Sequence, residues 1–419
     1  MPVSPPPTGA PRRPPRVPRP DAVPRIATPA AALPGPEGVE AYWREVSRRG
    51  TPLVTPDPEG SGDHVAVTFL RRGTPATRAV QVLPNKIGDP RAPEGNLMER
   101  LAGTDVWHWT LRLRHDWRGT YDFYVDEGEG PAPEDPGYWP ALRTRRHGDP
   151  LNPAWLPRRW SADPVPYAEL PAAPRAVDWT PRDDVPHGVL TEHELDSEHL
   201  GARCRVWRYE PAAGYRPAGD LPVLVLLDGE HWGPLLGLPH LLDNLIADGS
   251  IPPLVALLSD SVDPDTRWDR LTCRPEHTAF LTDELLPWAA ASLPLTDDPA
   301  RTAIAGQSLG GLTAAYAGLT ASDRFGHVLA QSGSFWWPDG PDAEWLTSYV
   351  ASTPRVPVRL RLSFGDQEWV ALPAAARLRD ALTAAGYDDA VYVPFNGGHD
   401  YLCWRTELAD GLVEAFGGH

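Results

Sequence analysis

The sequence contains few cysteines and no long apolar run, and both absences limit what the protein can be. Three cysteines among 419 residues cannot all pair within one chain and are too few for a disulfide framework, which predicts free thiols in a reducing compartment. No run of about eighteen or more apolar residues occurs, and prolines interrupt the N-terminus where a signal peptide would carry its apolar segment. We therefore expect a soluble, cytoplasmic protein that is neither exported nor inserted in a membrane.

Positive charge is also scarce: 39 Lys and Arg residues stand against 56 Asp and Glu, for a net charge of −17. A protein with this average field repels polyanions, so nucleic acid and anionic membranes are not expected as partners. An anionic ligand would need a local basic pocket. No His-Glu-x-x-His or Cys-x-x-Cys motif occurs, so neither a bound metal nor another cofactor is expected.

Composition divides the chain into four segments. Residues 1–40 alternate Pro, Arg and Ala with few large apolar side chains, which predicts a disordered tail; a basic arm for nucleic acid is the alternative. Residues 41–165 carry short alternating runs between Gly, Pro and Asn, as in a small all-β, immunoglobulin-like sandwich. Residues 166–186 are rich in proline and are predicted to be a linker.

The remaining segment, residues 187–419, has a different pattern, in which short apolar runs alternate with stretches of helical periodicity. The apolar runs are 223–227, 254–258, 302–305, 327–330, 358–364 and 391–395. Runs that are buried on both faces and separated by helices are typical of a parallel sheet covered by helices. We therefore predict an α/β domain, preceded by the small all-β domain.

The strongest chemical signal is the sequence GQSLG at residues 306–310. It follows the apolar run 302–305 and precedes a segment of helical composition, which is the strand–turn–helix context of a nucleophile elbow. The glycines permit a turn too tight for larger neighbours and leave the Ser308 hydroxyl exposed at the start of the helix. Ser308 is therefore predicted to attack an ester carbonyl.

A serine nucleophile needs a base, and His399 is predicted to supply it. His399 follows the last apolar run and stands after two glycines, which let a loop bring the imidazole back over the strand ends. Two other histidines are less well placed, because His231 follows an early strand and His277 lies in a helical stretch.

A carboxylate after a strand between the serine and the histidine should complete the order Ser, acid, His of α/β-hydrolases. The sequence GDQE at residues 365–368 offers Asp366 and Glu368. We prefer Glu368, because it can clear the turn, whereas Asp366 is expected to cap that turn. Asp400 is expected to be loop structure, since neighbouring residues rarely orient each other's side chains.

An oxyanion hole requires two backbone N–H groups aimed at the developing negative charge. The residue after the nucleophile, Leu309, is predicted to supply the first. The turn after the early apolar run 223–227 is predicted to supply the second, from Gly229 or Glu230; an ordinary turn at the end of a strand is the alternative.

Four segments of the second half together resemble the enterochelin (enterobactin) esterase family, within the esterase-D-like α/β-hydrolases. They are LDG at 227–229 with Trp232, AGQSLGGL at 305–312, QSGSFWW at 331–337, and GGHD at 397–400 with LCWR at 402–405. The first half resembles the N-terminal domain of the same family through GTDVW at 103–107, TYDF at 120–123 and DPLNP at 149–153. The resemblance covers the chain from roughly Ala41 to its end.

This resemblance implies an α/β-hydrolase fold and hydrolysis of the ester bonds of a cyclic tri-ester catecholate siderophore in the cytoplasm. The siderophore is a small-molecule partner that arrives as its iron complex, so iron would be cargo and not a cofactor. Family members carry Arg-x-x-Glu-Leu before a cysteine, whereas this chain has Arg270 in place of the glutamate.

Positive charge and aromatic residues near these segments are candidates for binding such a substrate. Arginines could attract an anionic iron complex, and tryptophans could stack on catechol rings, although core packing is the alternative role of each tryptophan. The candidates are Arg267, Arg270, Arg274, Arg405, Trp232, Trp336, Trp337 and Trp404.

Two rival functions stay open at the level of the sequence. The same fold and triad also serve general carboxylesterases and acyltransferases, because they specify ester chemistry and not the acyl group. A non-catalytic ligand-binding protein is the second alternative, and an intact set of Ser308, Glu368 and His399 argues against it.

Overall fold

The computed structural model describes the chain except for residues 1–4, 8, 10, 36, 90–91, 130, 132–134, 136, 143, 175–178, 216–218, 341–342 and 418–419. The chain forms two compact units. Unit 1 comprises Met1–Val17, Arg175–Phe395 and Trp404–His419, and unit 2 comprises Pro18–Pro174 and Asn396–Cys403. The short segment Asn396–Cys403 thus belongs to unit 2, although segments of unit 1 precede and follow it in the sequence.

In the part of the chain that the structure describes, unit 2 contains ten strands in two sheets. The strands are β1 (Arg25–Ile26), β2 (Leu53–Pro56), β3 (His64–Arg72), β4 (Ala79–Pro84), β5 (Glu99–Arg100), β6 (Val106–Arg114), β7 (Arg118–Asp126), β8 (Arg146–His147), β9 (Trp155–Leu156) and β10 (Val165–Glu169). One sheet has the order β1-β6-β3-β2 with β5 on β6, and the other has the order β4-β7-β10-β9 with β8 on β7. Two helices accompany them, α1 (Val39–Arg49) and α2 (Tyr138–Leu142).

The two sheets of unit 2 share one apolar core. Phe69 and Trp109 from the first sheet are fully buried together with Tyr121 and Phe123 from the second. The rings of Phe69 and Tyr121 lie 4.8 Å apart in an edge-to-face arrangement, which adds a favourable aromatic contact to the buried area. Apolar residues from both inner faces therefore form the interior of a sandwich.

The structure differs from the predicted tail at residues 1–40 and the predicted linker at 166–186. Strand β1 pairs with β6, Ala32 is fully buried, and Arg12 forms an ion pair with Asp265 at 3.0 Å. Strand β10 continues to Glu169, inside the predicted linker. In the described part of residues 1–40, backbone pairing and the burial of one small side chain hold the chain in place. Neither feature is visible when only large apolar residues are considered.

The described residues of unit 1 form an eight-stranded sheet and its helices. The strands are β11 (Val189–Ser197), β12 (Ala202–Glu210), β13 (Val223–Leu226), β14 (Val255–Ser259), β15 (Thr302–Gln307), β16 (His327–Gln331), β17 (Arg359–Gly365) and β18 (Val391–Phe395). The helices are α3 (Gly229–Trp232), α4 (Leu238–Ala247), α5 (Pro264–Arg270), α6 (Pro275–Ala279), α7 (Leu286–Ala290), α8 (Leu309–Thr320), α9 (Trp345–Ser352) and α10 (Leu372–Ala384). A last helix, α11 (Tyr401–Phe416), has its first three residues in unit 2 and the remainder in unit 1.

The strand order of the large sheet is β11-β12-β14-β13-β15-β16-β17-β18. The first two strands are antiparallel, and the other six are parallel to one another. All residues of β13 to β16 are buried, as expected for parallel strands covered by helices on both faces. The α/β fold predicted from the sequence is confirmed, and the carboxyl ends of six strands meet along one edge, where such sheets bind ligands.

The helices of the described residues include none that combines the length and the apolar character needed to span a membrane.

Candidate functional site

Ser308 occupies a sharp turn between β15 and α8. Its backbone angles are φ 60° and ψ −118°, a conformation that costs energy for any residue with a side chain and marks functional turns. The turn depends on glycine, because a Cβ atom on Gly306 would lie 2.3 Å from the carbonyl oxygen of Gly310. Ser308 is partly exposed, whereas Gln307 and Leu309 on either side are buried. The backbone therefore presents this hydroxyl at the sheet edge, as a nucleophile elbow requires.

Hydrogen bonds connect the turn at Ser308 to the next strand of the sheet. The Ser308 N–H donates to the carbonyl oxygen of Gln331, at the end of β16, over 3.0 Å. The Ser334 N–H donates to the Ser308 carbonyl oxygen at 2.9 Å, and the two hydroxyl oxygens are 3.4 Å apart. The position of the serine is thus fixed by the backbone on both sides.

Beneath the elbow, buried side-chain amides form a chain of hydrogen bonds. The Trp232 indole N–H donates to Gln307 at 2.7 Å, and the Gln307 amide donates to Gln331 at 2.7 Å. The Gln331 amide then donates to the backbone carbonyl of Trp404 at 2.8 Å. Because buried polar groups are costly unless paired, this chain locks the ends of β15 and β16 together. Neither glutamine was among the site residues predicted from the sequence, although both lie inside segments that carry the family resemblance.

Glu368 follows β17 and is only 2% exposed. Its Oε1 atom accepts hydrogen bonds from the Ser332 hydroxyl at 2.5 Å and from the Gly365 N–H at 2.9 Å. The Ser332 hydroxyl in turn accepts a bond from the Trp404 indole N–H at 2.8 Å. The other candidate acid, Asp366, is exposed. Of the two carboxylates, Glu368 is the one held in a fixed position beside the residues that support Ser308.

The four tryptophans proposed to stack on catechol rings are packed inside the protein instead. The most exposed of them, Trp336, reaches only 8%. Trp232 packs against Trp179, with ring centroids 5.6 Å apart, and Trp337 is buried like Trp404. These indoles fill the core, and those of Trp232 and Trp404 also donate hydrogen bonds inside it, which corresponds to the core-packing alternative. Sequence position beside a catalytic segment does not distinguish the two roles.

Arg267 was expected to bind the anionic substrate, but its guanidinium bonds to groups of the protein instead. Its guanidinium makes two bonds to the Asp228 carboxylate, at 2.9 and 2.8 Å, and a third to the Gln307 carbonyl oxygen at 3.0 Å. Asp228 is 1% exposed and also accepts a bond from the Ser261 hydroxyl at 2.6 Å. Paired, planar contacts of this kind fix geometry. Arg267 therefore ties the end of β13 to the residue before Ser308.

The other three arginines have different surroundings. Arg274 donates to the Asp269 carbonyl oxygen at 3.2 Å, and the Arg405 guanidinium lies 4.7 Å from the centre of the Trp179 ring. Arg270 lies beside Cys204, where burial raises the pKa of the thiol and the arginine opposes that shift. Their binding of an anionic substrate stays a prediction.

The oxyanion-hole candidates follow two neighbouring strands of the sheet. Leu309 is the first residue of α8, after β15, and Gly229 is the first residue of α3, after β13, which is paired with β15. A Cβ atom on Gly229 would lie 2.7 Å from the backbone of Leu258, so glycine is required for this close approach to β14. The Glu230 carboxylate accepts a bond from the Ser261 N–H at 3.1 Å. The roles of these N–H groups stay a prediction.

His399 lies in the segment Asn396–Cys403 of unit 2, where its neighbours hold the backbone firmly. The Asn85 amide donates to the His399 carbonyl oxygen at 2.9 Å. The Asp400 carboxylate accepts bonds from the N–H and the hydroxyl of Thr120, both at 2.7 Å, and from the Leu402 N–H at 3.0 Å. Asp400 is thus a buried anchor of the histidine loop, a specific role within the loop structure expected of it.

The two histidines set aside at the level of the sequence are both buried. Burial lowers the pKa of His277 to about 3, so this imidazole is neutral throughout the physiological range.

Comparisons with known proteins indicate the same kind of protein for both halves of the chain. The family model for the N-terminal domain of enterochelin esterase matches residues 66–179, and the model for putative esterases matches residues 197–415. The chain is 36% identical to the iron(III) enterobactin esterase of Dickeya dadantii (strain 3937), over 91% of this chain and 94% of the relative. It is 31% identical to the iron(III) salmochelin esterase of Escherichia coli O6:H1, over 88% of this chain and 92% of the relative.

Solved structures give the same result. The chain superposes with a TM-score of 0.78 and 32% identity on the enterobactin esterase from Shigella flexneri crystallised in the presence of enterobactin, covering 90% of this chain and 98% of that one. The ferric enterobactin esterase from Salmonella typhimurium matches with the same TM-score, identity and coverage.

Proposed function

The chain belongs to the enterochelin (enterobactin) esterase family, and from this we propose that it is a serine esterase that hydrolyses the ester bonds of a catecholate tri-lactone siderophore. The observation that carries the proposal is the 36% identity to an iron(III) enterobactin esterase along 91% of the chain. We place the reaction in the cytoplasm, where cleavage of the iron complex lowers its affinity for the metal. Iron is then cargo of the substrate.

In the proposed mechanism, the Ser308 hydroxyl attacks the ester carbonyl while His399 accepts its proton. Negative charge develops on the carbonyl oxygen, and the N–H of Leu309 with that of Gly229 or Glu230 stabilises it. The tetrahedral intermediate collapses, the ester C–O bond breaks, and His399 returns the proton to the departing alkoxide. Water, activated by the same histidine, then attacks the acyl-enzyme and releases the carboxylate and Ser308.

Glu368 is proposed to fix the tautomer of His399 and to stabilise the imidazolium that forms. Its burial and its two bonds from Ser332 and Gly365 support this role, because a carboxylate that is already positioned needs no reorganisation during the reaction.

The proposed substrate class is tested by comparing a ferric catecholate tri-lactone with simple acyl esters, following products by chromatography. We expect much faster hydrolysis of the tri-lactone. Equal efficiency on both would instead support a general carboxylesterase, and transfer of the acyl group to an added alcohol would support an acyltransferase. Absence of turnover on every ester, with siderophore binding retained, would support a non-catalytic binding protein.

Replacement of Arg267 by alanine should destabilise the fold. The change leaves the buried Asp228 carboxylate without its cation, so we expect a loss of about 3–5 kcal/mol in the free energy of unfolding. Urea denaturation measures it, and Arg274→Ala serves as the control, because this arginine of the same segment donates to a backbone carbonyl. Unchanged stability with a raised KM for the anionic iron complex alone would show that Arg267 binds substrate.

Replacement of Asp400 by asparagine should lower kcat by about 10- to 100-fold with little change in KM. Asp400 fixes the His399 loop through Thr120, and small displacements of a catalytic group have large kinetic effects. Thr120→Val should reproduce part of the loss and Thr120→Ser should restore activity, because serine keeps the hydroxyl. The exposed Asp388→Asn is the control. Wild-type kcat in Asp400→Asn would show that the loop needs no such anchor.

A further inference from the structure

Two histidines and an aspartate form a cluster in unit 1 that the proposed mechanism does not use. His240 and Asp243 are three residues apart on α4 and therefore lie on one face of that helix. His187 lies shortly before β11. One potential ligand atom from each residue lies within 4.8 Å of the corresponding atoms of the other two.

The aspartate of this cluster is positioned by its surroundings. Asp243 Oδ1 accepts bonds from the Tyr209 hydroxyl at 2.7 Å and from the Gly188 N–H at 2.8 Å. Outer contacts of this kind orient the carboxylate ligands of metal sites.

The second oxygen of the aspartate lies near His187. Asp243 Oδ2 is 3.3 Å from the His187 Nδ1 atom, which is longer than most hydrogen bonds between nitrogen and oxygen. Two ligand atoms that each lie ~2.0 Å from a tetrahedral zinc ion are ~3.3 Å apart, which is close to the distance observed here. The observed spacing therefore accommodates an ion between the two side chains.

Among the described residues, no permanently charged cation neutralises the aspartate of this cluster. The Asp243 side chain is 2% exposed, and among the described residues it forms no ion pair with an arginine or lysine; its partner is the partly exposed His187. A buried carboxylate is costly without a cation beside it. A divalent metal would supply that charge.

The third member of the cluster has an unsatisfied nitrogen. His240 Nδ1 is buried and has no hydrogen-bond partner among the described residues. Native proteins leave few buried polar atoms unpaired, so each such atom calls for an explanation. A hydrogen-bonded pair of His187 and Asp243 makes no use of His240, whereas a metal site employs all three residues.

We propose that His187, His240 and Asp243 bind a divalent first-row transition metal, with zinc as the expected ion. Two imidazoles and one carboxylate form a donor set that suits zinc, and three protein ligands leave a fourth position for water or a small ligand. This site is separate from the residues of the proposed ester hydrolysis and does not depend on that function.

The test is isothermal titration of the metal-free full chain with zinc chloride, followed by optical absorption after titration with cobalt chloride. We expect one ion per chain, with binding weakened at least tenfold in His187→Gln and in His240→Gln, and 10- to 100-fold in the supporting variant Tyr209→Phe. His199→Gln is a matched control, because His199 also stands beside an aspartate, Asp283 at 3.5 Å, but lacks a second histidine.

His187 has an exposed side chain, so its replacement is not expected to prevent folding, and circular dichroism of each variant checks this. Absence of zinc binding by the wild-type chain would overturn the proposal. So would wild-type affinity in both His187→Gln and His240→Gln, since the ion would then lie elsewhere.

Discussion

Ser308→Ala should reduce kcat on a catecholate tri-lactone by about 10⁴-fold or more, while leaving the fold and siderophore binding intact. The change removes the attacking oxygen and little volume, and the backbone bonds that fix residue 308 do not involve the side chain. Ester hydrolysis followed by chromatography measures the rate, and equilibrium binding of the ferric siderophore measures the retained affinity.

The proposal that Ser308 and His399 act together is tested in the same experiment. His399→Ala should be nearly as severe, and the double variant should be little worse than either single one, because residues that act as a unit have non-additive effects. Ser322→Ala, a serine beyond the end of α8, is the control. Activity near that of the wild type in Ser308→Ala would remove the nucleophile assignment, and multiplicative losses in the double variant would show that the two residues act independently.

Glu368→Gln should lower kcat at saturating substrate by about 10³- to 10⁴-fold, while Asp366→Asn has little effect. An amide in place of the carboxylate favours the wrong tautomer of the histidine and leaves the imidazolium without a counter-charge. The two acids are a matched pair: they are two residues apart, but Glu368 is buried and bonded by Ser332 and Gly365, whereas Asp366 is exposed.

The two variants distinguish three arrangements of the catalytic site. If Asp366→Asn is the more damaging variant and remains folded by circular dichroism, Asp366 is the acid. If neither substitution changes kcat, the enzyme works with Ser308 and His399 alone. Only a large loss confined to Glu368→Gln supports the complete triad.

The α/β fold was predictable because its signals are local. Each of the six apolar runs in the second half of the chain corresponds to a strand of the large sheet, from β13 to β18. The elbow at Ser308 was predictable for the same reason, since a glycine-flanked serine between a strand and a helix needs no distant partner to be recognised.

The features that the sequence did not reveal depend on partners far apart in the chain. Arg267 was proposed to bind an anion because it stands near other arginines in an otherwise acidic protein, but Asp228, 39 positions earlier, neutralises it. Asp400 was described only as loop structure, and its partner Thr120 is 280 positions away. The role of the four tryptophans likewise depends on their burial, which the sequence does not show. An indole beside a catalytic segment can face either the core or the solvent.

The central claim, serine-dependent hydrolysis of a catecholate tri-lactone, is tested most directly by mass spectrometry of the products formed from iron-loaded and iron-free tri-lactone. The wild-type chain should add the mass of one water for each ester bond cleaved, giving linear products from the ring, and Ser308→Ala should leave the ring intact. Intact tri-lactone after incubation with folded wild-type protein, or the same products from Ser308→Ala, would contradict this account.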